Sequence, residues 1–136
     1  MLHAADLQEL AAEVCVQGDA LQLPYKEEFD IVLQSTVFTS ILDESFRKAL
    51  ANKMFEMLKP GGIILSYDFT YNNPCNKDVR KLTRAEIKKL FPNHREIQFK
   101  RVTLAPPVAR RVGKLYDLVN FLCPMLRTHL IAAIKK

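Results

Sequence analysis

Glycine is scarce in this chain. There are four glycines in 136 residues, at 18, 61, 62 and 113, and none forms G-x-G. A glycine-rich loop of the dinucleotide-binding kind therefore has no counterpart in the sequence. Cysteine is equally sparse, at Cys15, Cys75 and Cys123. An odd and scattered set argues against a disulfide framework and suits a reducing compartment, so a cytoplasmic protein is expected. No apolar run reaches the ~18 residues that a membrane-spanning helix needs. Met1 to Asp6 lack the basic start and long apolar stretch of a signal peptide. His3, His94 and His129 stand far apart with no ligand spacing, and Cys75 has no histidine nearby. Neither a metal site nor thiol catalysis is expected. What is present is ordinary: hydrophobic residues make up 49% and charged residues 26%, which suits one globular domain.

Charge is unevenly placed. Residues 1–42 hold one basic residue, Lys26, against seven acidic ones, whereas residues 43–136 hold 19 basic and eight acidic. Between residues 80 and 114 there are eleven Lys/Arg against Glu86 and Glu96. Such a half attracts anionic substrates, nucleic acids or membrane surfaces, or is simply a solvated face with snorkelling lysines. Stacking aromatics and a phosphate loop are missing, so nucleic acid is not the expected partner.

Periodicity orders the elements. Residues 4–13 predict a short amphipathic helix, and Val14–Val16 a short strand ended by Gly18-Asp19. Phe29 to Phe38 is an apolar, β-branched run without alternation, as in a strand buried on both faces of a parallel sheet. Asp43 caps the next helix, with Phe46, Leu50, Met54, Met57 and Leu58 on one face. Lys59-Pro60-Gly61-Gly62 is a turn that stops it. Gly62 to Tyr67 is a second buried strand, and residues 69–82 are a long loop around Asn72-Asn73-Pro74. Thr83-Arg84-Ala85-Glu86 is a capping box for a helix ending at Pro92. A strand follows from Glu96 to Leu104, with a bulge expected near Lys100-Arg101. Residues 108–122 predict a helix with Val112, Leu115, Leu118, Val119 and Leu122 inward, and Leu126 to Ile134 the final strand. Strands alternating with helices mean an α/β sheet with ligand chemistry at the carboxyl ends of the strands.

Three segments carry a resemblance: Gly18-Asp19-Ala20 with Leu23-Pro24, Phe29-Asp30-Ile31-Val32-Leu33, and Met57-Leu58-Lys59-Pro60-Gly61-Gly62 leading into Ile63-Ile64-Leu65. In this order they resemble the class I S-adenosylmethionine-dependent methyltransferases (type 11-like). The resemblance implies an α/β, Rossmann-like sheet with helices on both faces and an antiparallel C-terminal hairpin. It also implies S-adenosylmethionine as the cofactor. Asp19 would accept a hydrogen bond from the adenine amino group, with the Ala20 backbone N–H at a ring nitrogen. Gln34 and Ser35 would line the cleft near the methionine portion. Asp30 and the Lys59–Gly62 turn would be structural.

Other site candidates come from position alone. Asp68 closes the second strand beside Tyr67 and Tyr71, where it either acts as a base or caps the loop. Tyr71, Asn72 and Arg80 lie in the long loop and are expected to face substrate. The family's glycine-rich loop and the acidic residue that follows it have no counterpart. Residues 1–136 are therefore expected to form a single, N-terminally incomplete domain with 29–136 as its core, 1–25 weakly anchored, and weak cofactor binding at most. The family's sheet order, 3-2-1-4-5-7-6, reduces to 4-5-7-6, leaving strand 29–38 an exposed apolar edge suited to a homodimer. The expected activity is methyl transfer to a small anionic hydroxyl or carboxyl acceptor, because Gln34-Ser35-Thr36-Val37 is no amino-base motif. The alternative is a non-catalytic interaction or dimerisation module.

Overall fold

The computed structural model describes residues 17–72 and 76–136. The helix expected over 4–13 and the strand expected at 14–16 lie outside these residues. A 3-10 turn, Ala20–Gln22, precedes β1 (Phe29–Ser35), the short α1 (Val37–Ser40), α2 (Glu44–Met57) and β2 (Leu58–Phe69). Then come α3 (Arg84–Leu90), β3 (Glu96–Arg101), α4 (Pro106–Val112), α5 (Tyr116–Leu122) and β4 (His129–Lys135). The four strands form one sheet in the order β1-β2-β4-β3. β1 and β2 run parallel, while β4 is antiparallel to both of its neighbours. This is the order expected for the family's strands four to seven, with β3 and β4 as the hairpin.

Capping starts the helices where the sequence places them. The Asp43 carboxylate accepts from the Phe46 amide at 2.8 Å, and Thr83 and Glu86 form a complete capping box. On α2, Leu50, Ala51 and Met54 are buried against Phe38, Leu58 and Ile64. Phe46 points outward instead at 41% exposure, and its inward place is taken by Arg47. Arg47 is kept in by its side chain, which donates to the Ile41 carbonyl at 2.6 Å. Leu58 is the first residue of β2 rather than the last of the helix.

The expected turn at 59–62 is a bulge at the start of β2. Phe29 pairs with Leu58 and Ile31 with Ile63, so the intervening Lys59-Pro60-Gly61-Gly62 loops out of register. Gly61 has φ +80°, and a Cβ on Gly62 would come within 3.0 Å of Leu58 and of the Lys59 carbonyl. Lys59 Nζ ties the bulge to Asp30 at 2.9 Å.

The apolar run 29–38 divides in two. β1 ends at Ser35 because Thr36 adopts φ +57° and the Gln34 side chain accepts from the Val37 amide at 3.1 Å. Nor is β1 buried on both faces. Val32 and Gln34 turn toward α2, while Ile31 (59% exposed) and Leu33 (68%) face outward on what is, among the described residues, an edge strand.

The second half differs from the sequence reading in three places. β3 pairs with β4 in unbroken register from Glu96↔Lys135 to Arg101↔Leu130, so the expected bulge is absent. The same register carries on to a bridge between Leu104 and Arg127. The expected helix 108–122 breaks at Gly113, which has φ +47°. Beyond the break Leu115, Leu118 and Leu122 are exposed, not inward. The last strand begins at His129, because 124–126 form a 3-10 turn after Pro124.

Candidate functional site

The carboxyl ends of the parallel pair β1 and β2 meet where Ser35 aligns with Tyr67. Strand alternation sorts their side chains. Gln34, Ser66 and Asp68 fall on the buried face, and Ser35, Tyr67 and Phe69 on the other. The Gln34 amide donates to both the Ser66 hydroxyl and the Asp68 carboxylate. Ser66 also donates to Asp68 at 3.0 Å, and the Thr39 amide donates to it at 3.3 Å. Burial raises the Asp68 pKa, and these donors oppose the shift. Asp68 is 1% exposed. Its carboxylate therefore anchors Gln34, and Gln34 in turn sets the Ser35-Thr36 bend.

The loop after β2 crosses these strand ends. Leu82 N–H donates to the Phe69 carbonyl and Arg80 N–H to the Thr39 carbonyl. The Asn72 side chain accepts from the Lys81 amide at 3.0 Å, and Tyr71 lies beside the Phe69 ring. Residues 73–75, Cys75 included, lie outside the described residues. Arg80 reaches away from the sheet into a cleft of about 250 Å³ between α2 and α3. Glu44, Arg47, Lys48, Arg80, Glu86 and Lys89 line it, with two carboxylates facing four cations. Arg80 bonds Glu86 at 2.8 Å and lies 3.6 Å from Glu44, yet its buried Nε has no hydrogen-bond partner among the described residues. Burial opposes ionisation of Glu86, but the Thr83 hydroxyl and amide, with Arg80, hold its pKa below the ordinary value. Arg47 is shifted down by burial and by the neighbouring Arg80 charge.

Asp19 is exposed, and its Oδ1 accepts from Leu21 N–H at 2.9 Å to start the 3-10 turn that includes Ala20. Ser35 is exposed at the end of β1. One group escaped sequence reasoning. His129 opens β4 opposite Phe69, stacks on the Tyr67 ring at 5.0 Å, and has its pKa lowered by burial, with Asp68 opposing. Tyr67 is held in turn by Thr103 at 2.8 Å. No local signal marks His129, because antiparallel pairing across the chain creates its setting.

Residues 1–66 match the family model of a methyltransferase domain. A Haemophilus influenzae protein described as uncharacterized is 38% identical over 69 residues, which are 49% of this chain and 26% of that protein. The chain thus spans about a quarter of the curated relative it matches. Among solved structures, a SAM-dependent methyltransferase from Archaeoglobus fulgidus aligns with TM-score 0.63 and 13% identity, over 98% of this chain and 73% of that one. The N-methyltransferase NodS from Bradyrhizobium japonicum, solved with S-adenosylhomocysteine, aligns with TM-score 0.64 and 14% identity, over 97% and 60%. At these identities the likeness is one of fold. No helix among the described residues is long and apolar enough to cross a membrane.

Proposed function

We propose, from a chain whose fold is that of the class I S-adenosylmethionine-dependent methyltransferases, that it serves methyl transfer to a hydroxyl or carboxyl group of a small anionic acceptor. The observation that carries the acceptor class is the Arg80 cleft, with four cations against two carboxylates and a guanidinium nitrogen that has no partner among the described residues. Buried donors without partners favour a ligand that supplies acceptors. Part of a cofactor site fits these residues. The Asp19 carboxylate is exposed, and among the described residues only its Oδ1 is engaged, by the Leu21 N–H, which suits an adenine amino group at the other oxygen. Ser35 stands exposed at the strand ends, on the bend that Gln34 and Asp68 hold. The sequence offers no acid for the ribose hydroxyls.

The cofactor, when bound, supplies an electrophilic sulfonium methyl. The protein's part is positioning, together with a base where the acceptor must lose a proton. Tyr71 and Asn72 stand on the loop that crosses the same strand ends.

Calorimetric titration of the chain with S-adenosylhomocysteine tests the cofactor assignment. Saturable binding that weakens at least about tenfold in Asp19→Ala supports it. A folded chain that shows no heat with the cofactor overturns it for this chain. Turnover, where found, is expected for an anionic hydroxyl or carboxyl compound. Turnover of an uncharged amine alone sinks the acceptor class.

A second reading, an interaction module, is favoured by one feature. Ile31 and Leu33 are exposed on the edge strand β1, beside an apolar groove formed by Leu23, Tyr25 and Phe29. An open apolar edge pairs readily with another strand. On this reading, light scattering shows a concentration-dependent homodimer, and Leu33→Lys shifts it to monomer. A wild-type chain that stays monomeric at every concentration dismisses it.

A further inference from the structure

The connection between β3 and β4 is amphipathic in an inverted sense. On α5 the inward positions are Tyr116, Val119 and Asn120, all half-buried. Its outward face is Leu118, Phe121 and Leu122, at helical spacing, with Leu115 exposed in the 3-10 turn before it and Met125 in the one after it. Phe121 is 78% exposed and Met125 90%. These residues have not merely lost their packing, because the element is fastened from its inner side. Arg127, at the entry to β4, donates to the Asn120 carbonyl at 2.6 Å and to the Asn120 side chain at 3.1 Å. Leu104 bridges to Arg127 on the same side. The apolar stripe is thereby held facing solvent.

The charge along this segment is mostly of one sign. From Lys100 to Arg127 the sequence has six basic residues and a single acidic one, Asp117. Lys100, Arg101, Arg110, Arg111 and Lys114 are all exposed. Exposed apolar side chains in a segment rich in exposed cations match one surface in both respects: acyl chains beneath anionic headgroups. Nucleic acid would answer the cations and leave the leucines, Phe121 and Met125 in water.

We infer that the segment from Pro106 to Leu126 docks the protein onto an anionic lipid bilayer. The outward face of α5 and Met125 enters the headgroup boundary, and Arg110, Arg111 and Lys114 contact the lipid phosphates. The inference is independent of the methyl-transfer reading, since it concerns a surface that shares no residue with the Arg80 cleft or the β1 end.

Sedimentation of the whole chain with vesicles tests it. One set is phosphatidylcholine alone, and the other has a third of its lipid replaced by phosphatidylserine. The chain should pellet with the anionic vesicles and stay in solution with the neutral ones. Phe121→Asn with Met125→Asn should weaken binding at least about tenfold, as loss of one large buried apolar side chain predicts. Arg110→Gln with Lys114→Gln should weaken it too, and so should raised salt. These positions are exposed, so folding is not at stake, and circular dichroism confirms it. Equal pelleting with both vesicle types overturns the inference, as does pelleting indifferent to Phe121 and Met125. A lipid-free dimer that the Phe121 and Met125 substitutions dissolve also overturns it, and assigns the face to a second copy.

Discussion

Replacing Asp68 with leucine will cost about 3–5 kcal/mol of folding stability, measured by equilibrium urea denaturation. Three donors converge on this carboxylate: the Gln34 amide, the Ser66 hydroxyl and the Thr39 backbone N–H. Leucine has the same branched outline, is bulkier, and takes the acceptor from all three donors in a site almost sealed from water. Each buried orphan donor costs roughly 1–3 kcal/mol, and relaxation recovers part of it. Asp68→Asn keeps the shape and an acceptor for Thr39, so it should cost clearly less. A leucine variant within about 1 kcal/mol of wild type would mean that the cluster contributes little to the fold.

The same carboxylate gives a pH signature. The folded protein holds the Asp68 proton more tightly than the unfolded chain, because burial raises the pKa. Its contribution to stability is therefore complete below the unfolded value of about 3.9 and is lost as pH rises through the raised folded value. The stability of wild type relative to Asp68→Asn should fall across that window and level off above it. A difference that grows with pH there would contradict the burial of this group.

Phe38→Ala is expected to cost about 3–5 kcal/mol in the same measurement. Phe38 is fully buried on α1 and meets Phe91 edge-on, with centroids 6.0 Å apart. Its removal leaves a cavity between Phe91, at the end of α3, and the sheet, and forfeits the aromatic pair. Phe38→Leu, which keeps most of the volume, should stay within about 1.5 kcal/mol. An alanine variant no worse than the leucine one would show that the site collapses freely. Because α1 follows directly on the Ser35-Thr36 bend, both substitutions should also loosen the strand end assigned to the cofactor.

Much of the fold was legible because local chemistry encodes it. Asp43 and the Thr83-to-Glu86 box declare helix starts through hydrogen bonds made within a few residues. The 59–62 segment declares a backbone irregularity through its glycines, although it proved to be a bulge inside β2 rather than a turn before it. The strand order followed from the resemblance and the alternation of elements. The site was less legible. Asp68 sits at a strand end, where the sequence reads it as a base or a loop cap, but the pleat sends it to the same side as Gln34 and Ser66. Arg80 was singled out as a loop cation, while the cleft around it is assembled by α2 and α3. Leu115, Leu118 and Leu122 have inward spacing and still point outward, because spacing defines a face without saying what lies opposite it.

The sequence by itself thus determined the helix starts at Asp43 and Thr83 and the alternation of strands with helices, since hydrogen bonding and periodicity act over a few residues, while the parallel-then-antiparallel order came with the resemblance. Tertiary structure alone decided which face of each strand is covered, how Gln34, Ser66 and Asp68 close on one another, and where His129 meets Tyr67. Those outcomes depend on register between segments far apart in the chain, and on which apolar faces find a partner. No short stretch of sequence contains that information.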